Sequence, residues 1–125
     1  WKKLVKHFAC IGDELEIRCW KEETLEIKQA SLYGTPLEDG FEVAVKGTVT
    51  DEFLTELLTE APADKAIYNK MTKYFTIRMK NKAFDFDSEH YGTEIYIHGA
   101  SDHDIAFFSK TIAQYANCFS IQIEA

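Results

Sequence analysis

This chain of 125 residues lacks the features that most directly reveal a function. No hydrophobic run approaches the roughly 18 residues that a membrane-spanning helix needs, and the first residues show no secretory pattern, so we expect no membrane association. Neither Gly-rich phosphate-loop pattern occurs, and Ser88 has no nucleophile-elbow context. No motif therefore predicts a particular reaction.

Cysteine is scarce, with only Cys10, Cys19 and Cys118. The odd count and the spacings fit no zinc pattern, and no cysteine has the nearby His and carboxylate that a catalytic thiol would need. Cys19 and Cys118 lie within apolar patterns. We therefore expect free thiols, buried or half-buried, and a reducing cytoplasmic location.

Positive charge is scarce in the last third of the chain. The net charge is −7: residues 1–82 carry 14 acids and 13 bases, whereas residues 83–125 carry 7 acids and only Lys110. Phosphate backbones need clustered cations, so this balance disfavours nucleic-acid binding. It permits a partner protein with a basic surface.

What is present indicates a folded core. Hydrophobic residues make up 46% of the chain and aromatic residues 14%, which argues against disorder. A chain of this length buries roughly two-thirds of its unfolded surface and typically forms one domain. We expect a single α+β domain over residues 1–125.

The first half predicts a hairpin and then a loop. Apolar and polar residues alternate over 15–20 and again over 25–28, and pairing them through the loop 21–23 sets Arg18 opposite Glu26. The stretch 33–40, YGTPLEDG, contains four Gly, Pro or Asp residues that interrupt regular structure, and it predicts a loop.

A second hairpin is predicted over 74–87, with a two-residue loop at positions 81 and 82 that sets Arg78 opposite Asp85. This pairing bears on function. Residues 65–82 hold six bases and no acid, interleaved with aromatic residues as in a nucleic-acid patch. A carboxylate opposite Arg78, with the apolar residues turned inward, predicts a solvated, ion-paired face instead.

A possible internal repeat links two strands. The stretch GFEVAVKG at 40–47 resembles GTEIYIHG at 92–99, and a helix capped by Thr50 or Ser101 is predicted after each copy. The second helix spans 101–116. A strand–helix duplication is one interpretation, but only three of eight positions are identical and alternating strands that end in Gly are common, so shared geometry without common ancestry is favoured.

The predicted fold class is α+β. A further helical piece at 63–72 and a last strand at 118–124 complete the pattern. Each strand is apolar on one face only, which predicts an antiparallel or mixed sheet of about six to seven strands with roughly two to three helices packed on one face. The other face would be open to water.

The stretch 85–104 is rich in side chains that can bind metals. Asp85 and Asp87 share a strand face, as do Glu94 and His98, and the remaining candidates are Glu89, His90, Asp102, His103 and Asp104. A metal-dependent hydrolase or nuclease could use such groups. Their spacing matches no known ligand signature, so we expect no metal and no cofactor. Binding of a small molecule between helix and sheet stays open.

The open face also carries large aromatic residues, which favours a protein interface. The predicted partner-binding residues are Trp20, Tyr96, His98, Asp85, Asp87 and Glu94. Exposed Trp and Tyr among mixed charges are typical of interface anchors, unless they pack under the loop 33–40. We expect a small non-catalytic module, with an inhibitor or immunity-type protein that occupies a basic surface as the best-fitting class. The sequence does not predict the oligomeric state.

Overall fold

The computed structural model describes residues 1–60, 70–99, 101–112 and 120–124, with side chains except at 112 and 120–124. The helices of this part are α1 (Lys2–Phe8), α2 (Thr24–Ala30), α3 (Asp51–Thr59) and α4 (Asp102–Ile112). The strands are β1 (Glu14–Trp20), β2 (Gly34–Asp39), β3 (Glu42–Thr48), β4 (Thr76–Lys80), β5 (Asp85–Glu89), β6 (Glu94–His98) and β7 (Ser120–Glu124).

The strands form one sheet in the order β2-β3-β1-β4-β5-β6-β7. Neighbouring strands are antiparallel from β2 to β6, and β7 pairs with β6 in parallel. A parallel neighbour needs a crossover connection, and α4 lies in the segment that makes it. The α+β class with a largely antiparallel sheet is thus confirmed, with four helices among the described residues where two or three were expected.

The core lies between the helices and one face of the sheet. Alternate strand residues such as Ile17, Ile77 and Ile97 are buried, as predicted, and they share a cluster with buried residues of the helices. Phe8 of α1 lies at the centre of this layer, with its ring centroid 5.7 Å from that of Phe86 and 6.2 Å from that of Phe108. The polar alternate residues are left for the opposite face, here called the open face.

Both predicted helix caps are present. Thr50 Oγ1 accepts a hydrogen bond from the backbone N–H of Phe53, and Ser101 Oγ accepts one from Asp104. A hairpin precedes each of the helices α3 and α4, but the neighbours of the two preceding strands differ. The antiparallel β1 flanks β3, whereas the parallel β7 flanks β6. The internal duplication therefore stays a hypothesis.

The predicted hairpin over residues 15–28 is wrong in its second half. After β1 the chain forms the helix α2, and β1 lies between β3 and β4. Arg18 consequently lies beside Ala44 and Thr76 rather than Glu26. The alternation of Leu25 and Ile27 covers a single turn, a length over which strand and helix patterns cannot be distinguished.

The predicted loop over 33–40 is instead the edge strand β2, paired with β3. An edge strand needs hydrogen bonds on one side only, so it tolerates Pro36, which has no backbone N–H. Gly47 allows the close approach, because a Cβ there would lie 2.0 Å from the carbonyl oxygen of Tyr33. Alternation with Val43 and Val45 would turn Phe41 inward, but it lies in the tight turn after β2 and is 81% exposed.

The predicted hairpin over 74–87 is present as β4 and β5, but its register differs by two residues. Arg78 lies opposite Asp87, and Asp85 lies opposite Lys80. Because strand side chains alternate with a period of two, an even shift keeps every residue on its predicted face. Phe86 is accordingly buried, as expected.

A longer loop causes this shift. It spans residues 81–84 rather than two residues, and Asn81 Oδ1 accepts hydrogen bonds from the backbone N–H groups of Ala83 (2.8 Å) and Phe84 (3.0 Å). Such an Asn-centred turn stabilises the wider loop without a glycine. Of the predicted helical piece at 63–72, residues 63–69 lie outside the described residues, and residues 70–72 are not helical.

Candidate functional site

One part of the open face is a compact ion-pair cluster, here called the Arg18 network. Arg18 donates hydrogen bonds to Glu16 Oε2 (2.8 Å), Asp39 Oδ2 (2.7 Å) and Glu42 Oε1 (3.0 Å). Its side chain is 15% exposed. The hydrogen bonds that Arg18 donates to Asp39 and Glu16 raise its pKa above the usual value. The carboxylates of this network are therefore occupied within the chain.

The other part, on β5 and β6, is here called the acidic region. It consists of Asp85, Asp87, Glu94, Tyr96 and His98. The strand register sets Asp85 opposite His98 and Asp87 opposite Tyr96. The structure thus brings five of the six predicted partner-binding residues together on one surface. His98 is exposed, and the other four are half-buried.

Asp87 is the most perturbed carboxylate of the acidic region. Partial burial raises its pKa to about 6, and Glu89, Asp85 and Glu16 add to this rise, against the lowering influence of Arg78. Within the described residues its carboxylate makes no hydrogen bond or salt bridge. Glu94 likewise raises the pKa of the Tyr96 phenol. Burial is the main cause of the shift at Asp87, whereas neighbouring negative charge is the main cause at Tyr96 and adds to the shift at Asp87.

A trough of about 480 Å³ lies between the two parts of the open face. Its walls are polar side chains of adjacent strands, and it is lined by Glu14, Leu15, Glu16, Lys46, Gly47, Arg78, Lys80, Asp85 and Asp87. A partly exposed, perturbed carboxylate in a concave surface is a functional-site candidate on physical grounds. Here the perturbed group is Asp87.

Trp20 does not join the acidic region. It lies three strands from Tyr96 in the sheet, and strand geometry sets the two residues roughly 20 Å apart. The ring centroids of Trp20 and Phe75 lie 4.8 Å apart. Phe75 in turn makes edge contacts, each with a centroid distance of 5.3 Å, with His90 and Tyr91. These four residues form a small cup, here called the aromatic cup.

The aromatic cup encloses about 280 Å³ and is also lined by Thr93. Trp20 is half-buried in it and contacts Phe75, which strand alternation alone would place on the core side with Ile77. The aromatic cup is therefore an apolar patch on the open face, next to its charged residues.

The turn that builds the cup is strained. His90 and Tyr91 have φ of 48° and 61°, in the left-handed region that residues other than glycine rarely adopt. Several hydrogen bonds hold Tyr91. Its N–H donates to the carbonyl oxygen of Phe75 (3.0 Å), its hydroxyl donates to Glu23 Oε2 (2.9 Å), and its carbonyl oxygen accepts from the N–H of Met71 (2.9 Å). Such conformations persist only where the surroundings enforce them, and they cluster at functional sites.

The candidate metal ligands of 85–104 do not converge. Among the described residues, no group of three or more His, Cys, Asp and Glu side chains is placed to hold a metal ion. His90 pairs with Glu94, whereas Asp104, on α4, hydrogen-bonds His7 at 2.9 Å. Residues 102–104 lie on α4, which separates them from the strand carboxylates.

The cysteines give no catalytic candidate in the described part of the chain. Cys19 is buried, and burial raises the pKa of its thiol to about 12, so it stays protonated and unreactive at neutral pH. Cys10 is exposed, and burial together with the charge of Asp13 raises its pKa as well. Cys118 lies outside the described residues.

Comparisons with models of protein families, with curated proteins and with solved structures found no match to this chain. None of the helices in the described ranges has the length and apolar character needed to cross a bilayer.

Proposed function

We propose that this protein is a non-catalytic binding module whose open face takes a partner protein with a basic surface. The single observation that carries the proposal is the Asp87 carboxylate. It is half-buried beside Asp85, Glu89 and Glu16, and it has no hydrogen bond within the described residues. A cationic side chain of a partner would relieve this unfavourable charge, and the gain would appear as binding energy.

The aromatic residues suit the role of anchors. Tyr96 lies inside the acidic region, and Trp20 lies in the aromatic cup, roughly 20 Å away by strand geometry. A protein interface of standard size buries about 800 Å² on each partner, which is wide enough to include both. Half-buried Trp and Tyr lose little side-chain entropy on binding, so they contribute strongly at interfaces.

An inhibitor or immunity-type protein is the class that fits this surface. Such a protein would occupy the basic, substrate-binding surface of a partner by charge complementarity. The protonated, buried thiol of Cys19 is compatible with a cytoplasmic location, which belongs to the same proposal.

Affinity capture with matched variants would test the proposal. Tagged wild-type protein, Asp87→Asn, Tyr96→Ala and the control Lys28→Ala would be compared in extracts of the native host by quantitative mass spectrometry. Lys28 is exposed on α2, away from the open face. We expect a basic protein that wild type and Lys28→Ala retain and that the other two variants lose. A capture profile that is identical for all four proteins would contradict the proposal.

Affinity for the captured partner should also depend on pH. Binding of a cation favours ionised Asp87, so affinity should rise as the pH increases through about 6, and Asp87→Asn should remove that dependence. Calorimetric titration between pH 5 and pH 7.5 would measure it. An affinity that falls with pH in this range would mean that Asp87 does not meet a cation.

The alternative is a metal-dependent hydrolase or nuclease that uses residues 85–104. No grouping of ligands in the described part of the chain supports it. The same variants distinguish the two functions. A rise in melting temperature with Mg²⁺, Mn²⁺ or Zn²⁺ that Asp87→Asn abolishes would favour the enzyme and overturn the binding module.

A further inference from the structure

A second concave surface lies on the helical side of the molecule, between α1 and α4. It holds about 550 Å³ and is lined by Lys3, Lys6, His7, Phe107, Lys110 and Thr111. Residues three and four apart share one face of a helix, which is why Lys3, Lys6 and His7 line one wall and Phe107, Lys110 and Thr111 the other. We call this surface the α1–α4 groove.

The charge of the groove is opposite to that of the chain. The protein has 21 acids and 14 bases, and Lys110 is the only base in residues 83–125. Lys110 nevertheless faces Lys3 and Lys6 across the groove. Among the described residues, no carboxylate lines the groove. Three ammonium groups that share one concave space repel one another, and a bound anion would remove that cost.

The groove also has an apolar wall. The rings of His7 and Phe107 are stacked, with centroids 3.8 Å apart and planes inclined by 12°. The hydrogen bond between His7 Nε2 and Asp104 Oδ1, at 2.9 Å, holds the imidazole in this position. The hydrogen bonds with His7 and Ser101 lower the pKa of Asp104, so its carboxylate stays ionised at neutral pH, but Asp104 does not line the groove, where the charged residues are the three lysines.

We propose that the α1–α4 groove binds a small phosphorylated ligand. Lys3, Lys6 and Lys110 would hold the phosphate groups as mobile point charges, the role that lysine commonly has in phosphate sites. A volume of about 550 Å³ is within the range of roughly 300–1,000 Å³ that is usual for small-molecule sites. The groove is independent of the open face, so this proposal does not rest on the partner-binding function.

Two probes distinguish a site that recognises phosphate groups alone from a site that recognises a nucleotide. Inorganic tripolyphosphate presents the charge alone, whereas ATP adds a ring that could stack against the wall of His7 and Phe107. Binding would be measured by calorimetry on the full chain near physiological ionic strength, so that unspecific charge attraction is screened. We expect a dissociation constant below about 1 mM for at least one probe.

Matched lysine variants decide whether binding occurs in the groove. Lys3→Ala and Lys110→Ala should each weaken binding by about tenfold or more, whereas Lys82→Ala, in the exposed loop between β4 and β5, should leave it unchanged. All three lysines are exposed, so the variants should keep the wild-type melting temperature. Phe107→Leu should weaken ATP binding alone if the ring contributes.

Two results would overturn the proposal. One is the absence of a binding signal with either probe up to about 10 mM. The other is binding that Lys82→Ala weakens as much as Lys110→Ala, which would reflect general charge attraction. Equal affinity for the two probes would assign the site to phosphate groups alone, and tighter binding of ATP would assign it to a nucleotide; either result supports the proposal.

Discussion

The Arg18 network and the acidic region lie on the same face of one sheet and are built from the same residue types, yet their charges are arranged differently. Arg18 has three carboxylate partners within 3.0 Å, whereas Asp87 has no hydrogen bond within the described residues. In the network, charge holds β1, β2 and β3 together. In the acidic region Glu94 pairs with His90, whereas the Asp87 carboxylate has no such partner among the described residues. Pairing therefore divides one polar sheet face into a stabilising part and the part that we propose binds a partner.

The largest expected effect breaks the network. Arg18→Ala leaves Glu16, Asp39 and Glu42 close together without their cation, and we expect a loss of about 2–3 kcal/mol in the free energy of unfolding. Arg78→Ala should lose less than about 1 kcal/mol, because Arg78 is 44% exposed and its contacts with Glu16 and Glu89 are 3.7 and 3.3 Å long. Urea denaturation would measure both. Equal losses would remove the distinction between the two regions.

A smaller effect, with a pH signature, concerns Asp87. Its folded pKa of about 6 exceeds the value of about 3.9 for an unfolded Asp, so its contribution to stability is present below pH 4 and is lost as the pH rises through 6. Asp87→Asn should therefore stabilise the protein at pH 7.5, by about 1 kcal/mol after allowance for solvent screening, and by much less at pH 4.

Asp39→Asn is a control for Asp87→Asn, because its effect on stability should have the opposite sign. The hydrogen bond from Arg18 lowers the pKa of Asp39, so its contribution is present above its unfolded pKa and is lost on acidification. Asp39→Asn should therefore destabilise the protein at neutral pH, and the difference from wild type should shrink as the pH falls below 4. Denaturation curves of the two variants that shift in the same direction would contradict the assignment.

The smallest effect concerns the turns of the two regions. The turn beside the Arg18 network places Gly40 at φ 64°, whereas the turn beside the acidic region places His90 at φ 48°. His90→Gly should raise the free energy of unfolding by about 0.5 kcal/mol because it relieves strain, and the lost contact with Glu94 reduces this gain. Gly40→Ala should lower the free energy of unfolding by about 1 kcal/mol. Thermal melting would measure both changes. A clear loss for His90→Gly would mean that its side-chain contacts outweigh the strain.

The sequence was sufficient to predict elements whose pattern is long or whose caps are explicit. The strands β3 and β6 and the helices α3 and α4 follow from alternation and from Thr50 and Ser101. The helix α2 was missed because Leu25 and Ile27 are too few to define a period, and Leu25 is 78% exposed. The edge strand β2 was missed because Pro and Gly at an edge resemble those of a loop.

The candidate site was predicted in part, because the alternation of side chains along a strand is enough to assign residues to one face of the sheet. Strand parity alone puts Asp85, Asp87, Glu94, Tyr96 and His98 on one face, and a register error of two residues does not change parity. The aromatic cup depends on contacts between distant segments, which parity does not encode. The strained turn of the cup leaves only a weak signal in the sequence, because His is one of several residue types enriched at positive φ.

The edge strand β2 has a consequence for the behaviour of many copies of the chain. A sheet edge can recruit the edge of another molecule and start aggregation, the more so here because Leu37 on β2 is 63% exposed. Pro36 interrupts the row of donors that such pairing needs, whereas the carboxylates of Glu38 and Asp39 are paired with Lys21 and Arg18. Pro36→Val should therefore shorten the lag before fibrils bind thioflavin, and an unchanged lag would mean that Pro36 does not protect this edge.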